Sequence, residues 1–125
     1  MLARRSVADA ERVATSIVTL VEARAALARR RHAGDLAPAD HRRAVADLAD
    51  DWERWVRLEV SEPLTREAAG LAERHRLRGY DAIHLASALL LAVRVGEPIM
   101  LASWDDALDA AAAREGLTVL RRRRR

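Results

Sequence analysis

Residues Arg78-Gly79-Tyr80-Asp81-Ala82-Ile83-His84-Leu85-Ala86-Ser87-Ala88 constrain this chain more than any other stretch. From Ala82 to Val95 nearly every residue is apolar, with only His84, Ser87 and Arg94 interrupting. A helix apolar on all sides belongs inside a domain. This one is too short and too interrupted to cross a bilayer, which takes roughly 20 apolar residues. Gly79 breaks the segment before it, so Asp81 stands where a solvent-facing helix start meets the core. A carboxylate in that position either caps the helix or holds something cationic.

The rest of the chain must supply the layers that cover such a helix. With 125 residues there is enough for one domain with a real core, and residues 1–120 are expected to form it. That core must be aliphatic, because Phe is absent and aromatics are 3%. Ala, Leu, Arg and Glu favour a helix-rich structure. The absence of cysteine excludes disulfides and thiolate zinc sites and fits a reducing compartment. The opening Met-Leu-Ala-Arg-Arg has no apolar run behind it, so no signal peptide is expected. The formal charge of +3 comes from the end of the chain: without Arg121–Arg125 there are 17 basic against 19 acidic residues, a net of −2. Those five arginines are either a tail that attracts nucleic acid or an acidic partner, or a plain solubilising end.

Along the chain, strand and helix alternate. Ser6 or Asp9 can cap a short first helix. Val13–Val18 is β-branched and predicts a strand, followed at once by a helix with Val18, Val21, Ala25 and Ala28 at inward spacing and Arg29–Arg31 near its end. Gly34 to Pro38 stops and restarts the chain. A helix from about Pro38 to Arg54 sets Val45, Leu48, Trp52 and Trp55 on one face, the tryptophans as core or interface anchors. Trp55–Val60 alternates as a strand does, and Ser61-Glu62-Pro63 ends it. A helix over Thr65–Leu77, capped by Thr65, turns Ala68, Leu71, Ala72 and His75 inward. After the apolar helix, closed by Gly96, Pro98–Ser103 predicts a buried strand. Then comes a helix with Ala107, Leu108, Ala111 and Ala112 inward, and a last strand at Leu117–Leu120. This order argues an α/β domain with a mainly parallel sheet covered on both faces.

In such a sheet ligands bind at the carboxyl ends of the strands. Glu22 lies one turn after the first strand, Asp81 opens the apolar helix, and Asp105 with Asp106 follows the Ile99–Ser103 strand. Carboxylates gathered from separate segments repel one another unless a divalent cation compensates them, and oxygen-only ligation suits Mg²⁺ or Mn²⁺. A site of that kind polarises a phosphodiester and activates water. Helix starts equally favour acidic residues through the dipole alone, which is the simpler account of Asp105 and Asp106. Glu22 sits among Val18, Val21, Ala25 and Ala26 and needs a partner, Arg24 or Arg29. His84, on the face of Asp81, suits a satisfied core-edge histidine. Arg74, Arg76 and Arg78 either line a path for phosphates or form a solvated face.

The segments Thr15–Glu22, Leu77–Ala86 and Leu101–Asp105 resemble the second, third and fourth acidic motifs of PIN-domain proteins. The nearest resemblance is to VapC toxins of bacterial toxin–antitoxin systems. Gly-Tyr-Asp-Ala-Ile-His-Leu-Ala is its most specific part, and the likeness runs from about Val13 to Leu120. It implies a three-layer α/β/α fold and an Mg²⁺- or Mn²⁺-dependent endoribonuclease. Glu22, Asp81 and Asp105 would be its metal-site and catalytic acids, with Ser103 supporting the last motif and Asp106 a lesser candidate. It also implies an RNA substrate, a homodimer, silencing by a VapB-like antitoxin, and a cytoplasmic location.

Family members begin with a short apolar strand that ends in an aspartate. Here the opening residues look like the interior of the first helix, and neither Asp9 nor Glu11 follows an apolar strand. The first central strand and first acid are therefore expected to be missing, through a misplaced start or because the sequence is a fragment. A competing expectation follows, that of a PIN-like binding protein without catalysis.

Overall fold

The computed structural model describes residues 12–120. The expected cap at Ser6 or Asp9 and the Arg121–Arg125 tail lie outside them. The chain forms two compact units, Arg12–Leu58 and a second one from Glu59 onward.

In the first unit, β1 (Ala14–Ser16) leads through α1 (Thr19–His32) and α2 (Pro38–Arg54) to β2 (Val56–Leu58). A connection of two helices carries the chain back to its starting edge, so the strands pair in parallel, Ala14 opposite Val56 and Ser16 opposite Leu58. The backbone N–H of Ile17 donates to the Leu58 carbonyl at 2.8 Å, extending the pair beyond the strand ends. The strand is shorter than the β-branched run Val13–Val18 because the Val18 N–H turns onto the Ser16 hydroxyl and starts the helix. Gly34, at φ +83°, makes the left-handed turn between the helices, and Pro38 occupies the first turn of α2, where its missing N–H costs nothing. Val21 is exposed, contrary to its expected inward position, since the apolar residues of α1 make no continuous stripe between its arginines. Trp52 and Trp55 are half-buried, and the Arg57 guanidinium lies 5.7 Å from the Trp52 ring centroid, a cation–π contact.

The second unit runs α3 (Glu62–His75), α4 (Gly79–Val95), β3 (Met100–Leu101), α5 (Asp106–Arg114) and β4 (Thr118–Val119). Leu64, Leu71, Leu85, Leu108 and Ala111 meet in its core. The first turn of α3 differs from expectation. Ser61 is the cap, its Oγ accepting the Leu64 N–H at 3.2 Å, and Pro63 sits inside that turn. Ser61-Glu62-Pro63 therefore starts a helix as well as ending a strand, because proline is tolerated where the N–H has no helical partner. Thr65 instead donates its hydroxyl to the Glu62 carbonyl. The apolar α4 is buried over its first half only, through Ala82, Leu85, Ala86 and Ser87, while Val93 near its end is 81% exposed. Ala107 is also exposed, outside the buried stripe of Leu108, Ala111 and Ala112. Strands β3 and β4, joined by α5, pair in parallel with Met100 opposite Thr118. The helix-rich α/β architecture with parallel strands is as expected, the described strands forming two separate pairs. Among the described residues no helix is long and apolar enough to cross a membrane.

One ion-pair cluster ties α3 to α5. Glu115, which caps the end of α5, accepts from Arg74 Nη1 at 2.8 Å and lies 2.7 Å from Nε2 of His75, whose side chain is only 5% exposed. Hydrogen bonding from His75 first, and then from Arg74, holds the Glu115 carboxyl below its ordinary value. A carboxyl depressed in this way stabilises the folded state at neutral pH and loses that contribution as pH falls through its folded value. Glu115→Gln should therefore cost about 1 kcal/mol at pH 7, measured by urea unfolding. The gap between the two proteins should close as pH drops below about 4.3, the unperturbed glutamate value.

Candidate metal centre

Two short segments of the second unit meet at one guanidinium. Arg78 is the extended residue before α4 and makes no side-chain cap, leaving its guanidinium to turn elsewhere. Asp81, one turn on, is among the first residues of the helix, where the positive end of the dipole favours a carboxylate. Asp105 is the N-cap of α5: its Oδ1 accepts the Leu108 N–H at 2.9 Å. Its Oδ2 remains directed elsewhere, and Arg78 reaches both acids. Nε of Arg78 donates to Asp81 Oδ2 at 3.1 Å and Nη2 donates to Asp105 Oδ2 at 3.0 Å.

The sequence left two roles open for Asp81, capping the helix or holding a cation, and the structure gives it the second. Asp105 has both roles at once, one oxygen for each. Asp81 first, and Asp105 behind it, raise the Arg78 guanidinium above its ordinary value. The acids are sheltered, with side chains 17% and 31% exposed, while Arg78 is 80% exposed. The shared cation thus covers the carboxylates from the solvent side.

Ser103 supports this arrangement through the backbone. Its Oγ accepts the Asp105 N–H at 3.2 Å, and its single proton goes to the Asp109 carboxylate or to the Asp105 carbonyl. The turn that aims Asp105 is therefore held at its backbone N–H.

Glu22 lies in the other unit, half-buried in the first turn of α1, its N–H directed to the Val18 carbonyl. Asp106 is exposed in the first turn of α5, and His84 is half-buried one turn beyond Asp81. Among the described residues no group of three His, Asp or Glu side chains is clustered as a metal site. Of the arginines considered for a phosphate path, Arg74 is engaged with Glu115, Arg76 ends α3 in a left-handed conformation at φ +54°, and Arg78 bridges the acids. Arg78 as a bridge was not foreseen. Its i, i+3 spacing from Asp81 was a visible signal, but nothing local pointed to Asp105.

The donor set fits a small hard cation. Two carboxylate oxygens already turn toward one positive group, and Mg²⁺ or Mn²⁺ commonly takes one or two carboxylates and completes its shell with water and substrate phosphate. The chain has no cysteine, so thiolate ligands that favour softer metals are absent.

The sequence as a whole has curated relatives. Two ribonucleases of Mycobacterium tuberculosis, VapC45 and VapC49, are each 38% identical to this chain over 99 residues, covering 78% of it and 66% of their own length. The chain thus spans just under two thirds of those curated relatives. The PIN domain family matches residues 1–113, a stretch that includes Asp81, Asp105 and Glu22. The chain belongs to the PIN-domain family.

Proposed function

We propose that this protein is a VapC-like endoribonuclease that hydrolyses RNA phosphodiesters with the help of Mg²⁺ or Mn²⁺. The observation that carries the reading is the facing of Asp81 and Asp105 toward the Arg78 guanidinium, both within the stretch that the PIN family matches. Asp81 and Asp105 hold the metal. Glu22 is proposed as a further catalytic acid on its motif alone. Asp105 is oriented by the Leu108 N–H and by Ser103, which together aim its outer oxygen, Oδ2. A bound divalent ion supplies charge stabilisation at the phosphate and lowers the pKa of a water nucleophile. Residues 1–120 act as one PIN domain. By the same likeness the protein is cytoplasmic, forms a homodimer and is held silent by a VapB-like antitoxin.

The test is cleavage of a mixed RNA pool by the purified chain with Mg²⁺, with Mn²⁺ and with excess EDTA. Cleavage with either ion and its loss in EDTA are expected, together with a fall of about tenfold or more for Glu22→Gln, the lower range for perturbing a metal site. Cleavage that persists unchanged in EDTA contradicts the metal mechanism. Failure to cleave under any of these conditions, with the fold intact, favours a PIN-fold binding protein without catalysis.

A further inference from the structure

The Arg78 bridge has a consequence for metal binding. Its two donors take one oxygen from each acid, Asp81 Oδ2 and Asp105 Oδ2, and Arg78 and Asp105 stand 27 positions apart in the chain. The remaining Asp105 oxygen already caps α5. A divalent ion drawn to both carboxylates therefore meets Arg78 at Asp105 Oδ2, the one oxygen of that acid not spent on the cap. The arginine is on the solvent side, 80% exposed, and its long stem lets the head swing away at little steric cost.

We infer that Arg78 is a built-in counter-ion of the metal-free site, occupying the facing oxygens of Asp81 and Asp105 and competing with the divalent cation for them. The inference rests on the metal-site reading above and adds a residue that tunes its affinity. The physical reason is electrostatic. Two carboxylates brought together repel, and the guanidinium relieves that repulsion until a doubly charged ion does so better. Arg78 and the metal are then linked reciprocally: whatever Arg78 contributes to holding the acids is subtracted from the affinity for the ion. Removing the arginine both vacates the oxygens and restores the field that attracts a cation.

Competition and positioning predict opposite signs. If Arg78 competes, Arg78→Gln binds metal more tightly. If Arg78 merely holds the acids in a productive arrangement, the same variant binds metal more weakly. Mn²⁺ titration of the full chain, following free Mn²⁺ by electron paramagnetic resonance, distinguishes them without any RNA. For Arg78→Gln the Kd for Mn²⁺ should fall several-fold, up to about tenfold, the range open to two exposed ion pairs. Arg78→Lys, which keeps the charge but not the fork, should lie between. Asp81→Asn should lose the site. A second readout uses the unaltered chain: the Nε–H resonance of Arg78, assigned by its loss in Arg78→Gln, should shift when Mg²⁺ is added.

Asp81-dependent Mn²⁺ binding that is equal or weaker in Arg78→Gln overturns the competition and leaves the metal site standing. An Nε–H resonance unmoved at saturating Mg²⁺ does the same. If no chain binds Mn²⁺ in an Asp81-dependent way, the metal-site reading itself falls and the inference goes with it.

Discussion

Asp81→Asn is expected to lower metal-dependent RNA cleavage by at least about a hundredfold while the protein stays folded. The substitution keeps the size and the helix position of the side chain and removes its charge. Metal-ion catalysis provides several kcal/mol of charge stabilisation in the transition state, and each 1.36 kcal/mol is tenfold in rate. Losing one of the two carboxylates that face the shared cation puts a large part of that at risk. Folding should suffer little. A carboxylate in a first helical turn contributes about 0.3–1 kcal/mol through the dipole, and the amide oxygen of an asparagine in its place can still accept a hydrogen bond. The check is a pair of measurements on the same preparation, cleavage rate against Mg²⁺ concentration and the urea midpoint. Cleavage within a few-fold of the unaltered chain would remove Asp81 from the metal site. Loss of activity accompanied by loss of structure would instead be tested again with Asp105→Asn, whose outer oxygen faces the same cation.

The largest stability effect is expected at Leu85. It is completely buried, at 0% exposure, and lies in α4 within the core shared with Leu64, Leu71, Leu108 and Ala111. Leu85→Ala removes apolar surface and leaves a void among short aliphatic side chains. Such changes cost about 2–5 kcal/mol, against a total stability of about 5–15 kcal/mol for a typical domain. With no phenylalanine in the chain and leucines and alanines making up the surrounding core, neighbouring rings cannot collapse into the space. Equilibrium urea unfolding with an unchanged m-value is the appropriate readout. A loss below about 1 kcal/mol, under the range for such truncations, would mean that the core around α4 is looser than its burial indicates. Val93 is the contrast on the same helix: at 81% exposure, its replacement by alanine should change stability by no more than about 0.5 kcal/mol.

The positions of two candidate acids were legible in the sequence. Asp81 at the start of an apolar helix and Asp105 after a short apolar strand are local facts, and both positions proved to be helix starts. The alternation of elements and the parallel strands were visible for the same reason, since periodicity and turn residues report on the few neighbours of each residue. The errors lie at boundaries where two local rules compete. Pro63 marks a strand end and equally suits a first helical turn, and the hydroxyl of Ser61 decided between them by capping the Leu64 N–H. Val21 fits a helical spacing, yet α1 has too few apolar neighbours beside it to form a buried stripe.

By itself, then, the sequence determined the order of helices and strands, the aliphatic core and the resemblance to the PIN family that the family match bears out. Tertiary structure alone decided which charges meet. Arg78 finds Asp105 across 27 residues, and His75 finds Glu115 across 40. No periodicity encodes such pairs, because they arise only once packed helices bring distant parts of the chain within hydrogen-bond reach.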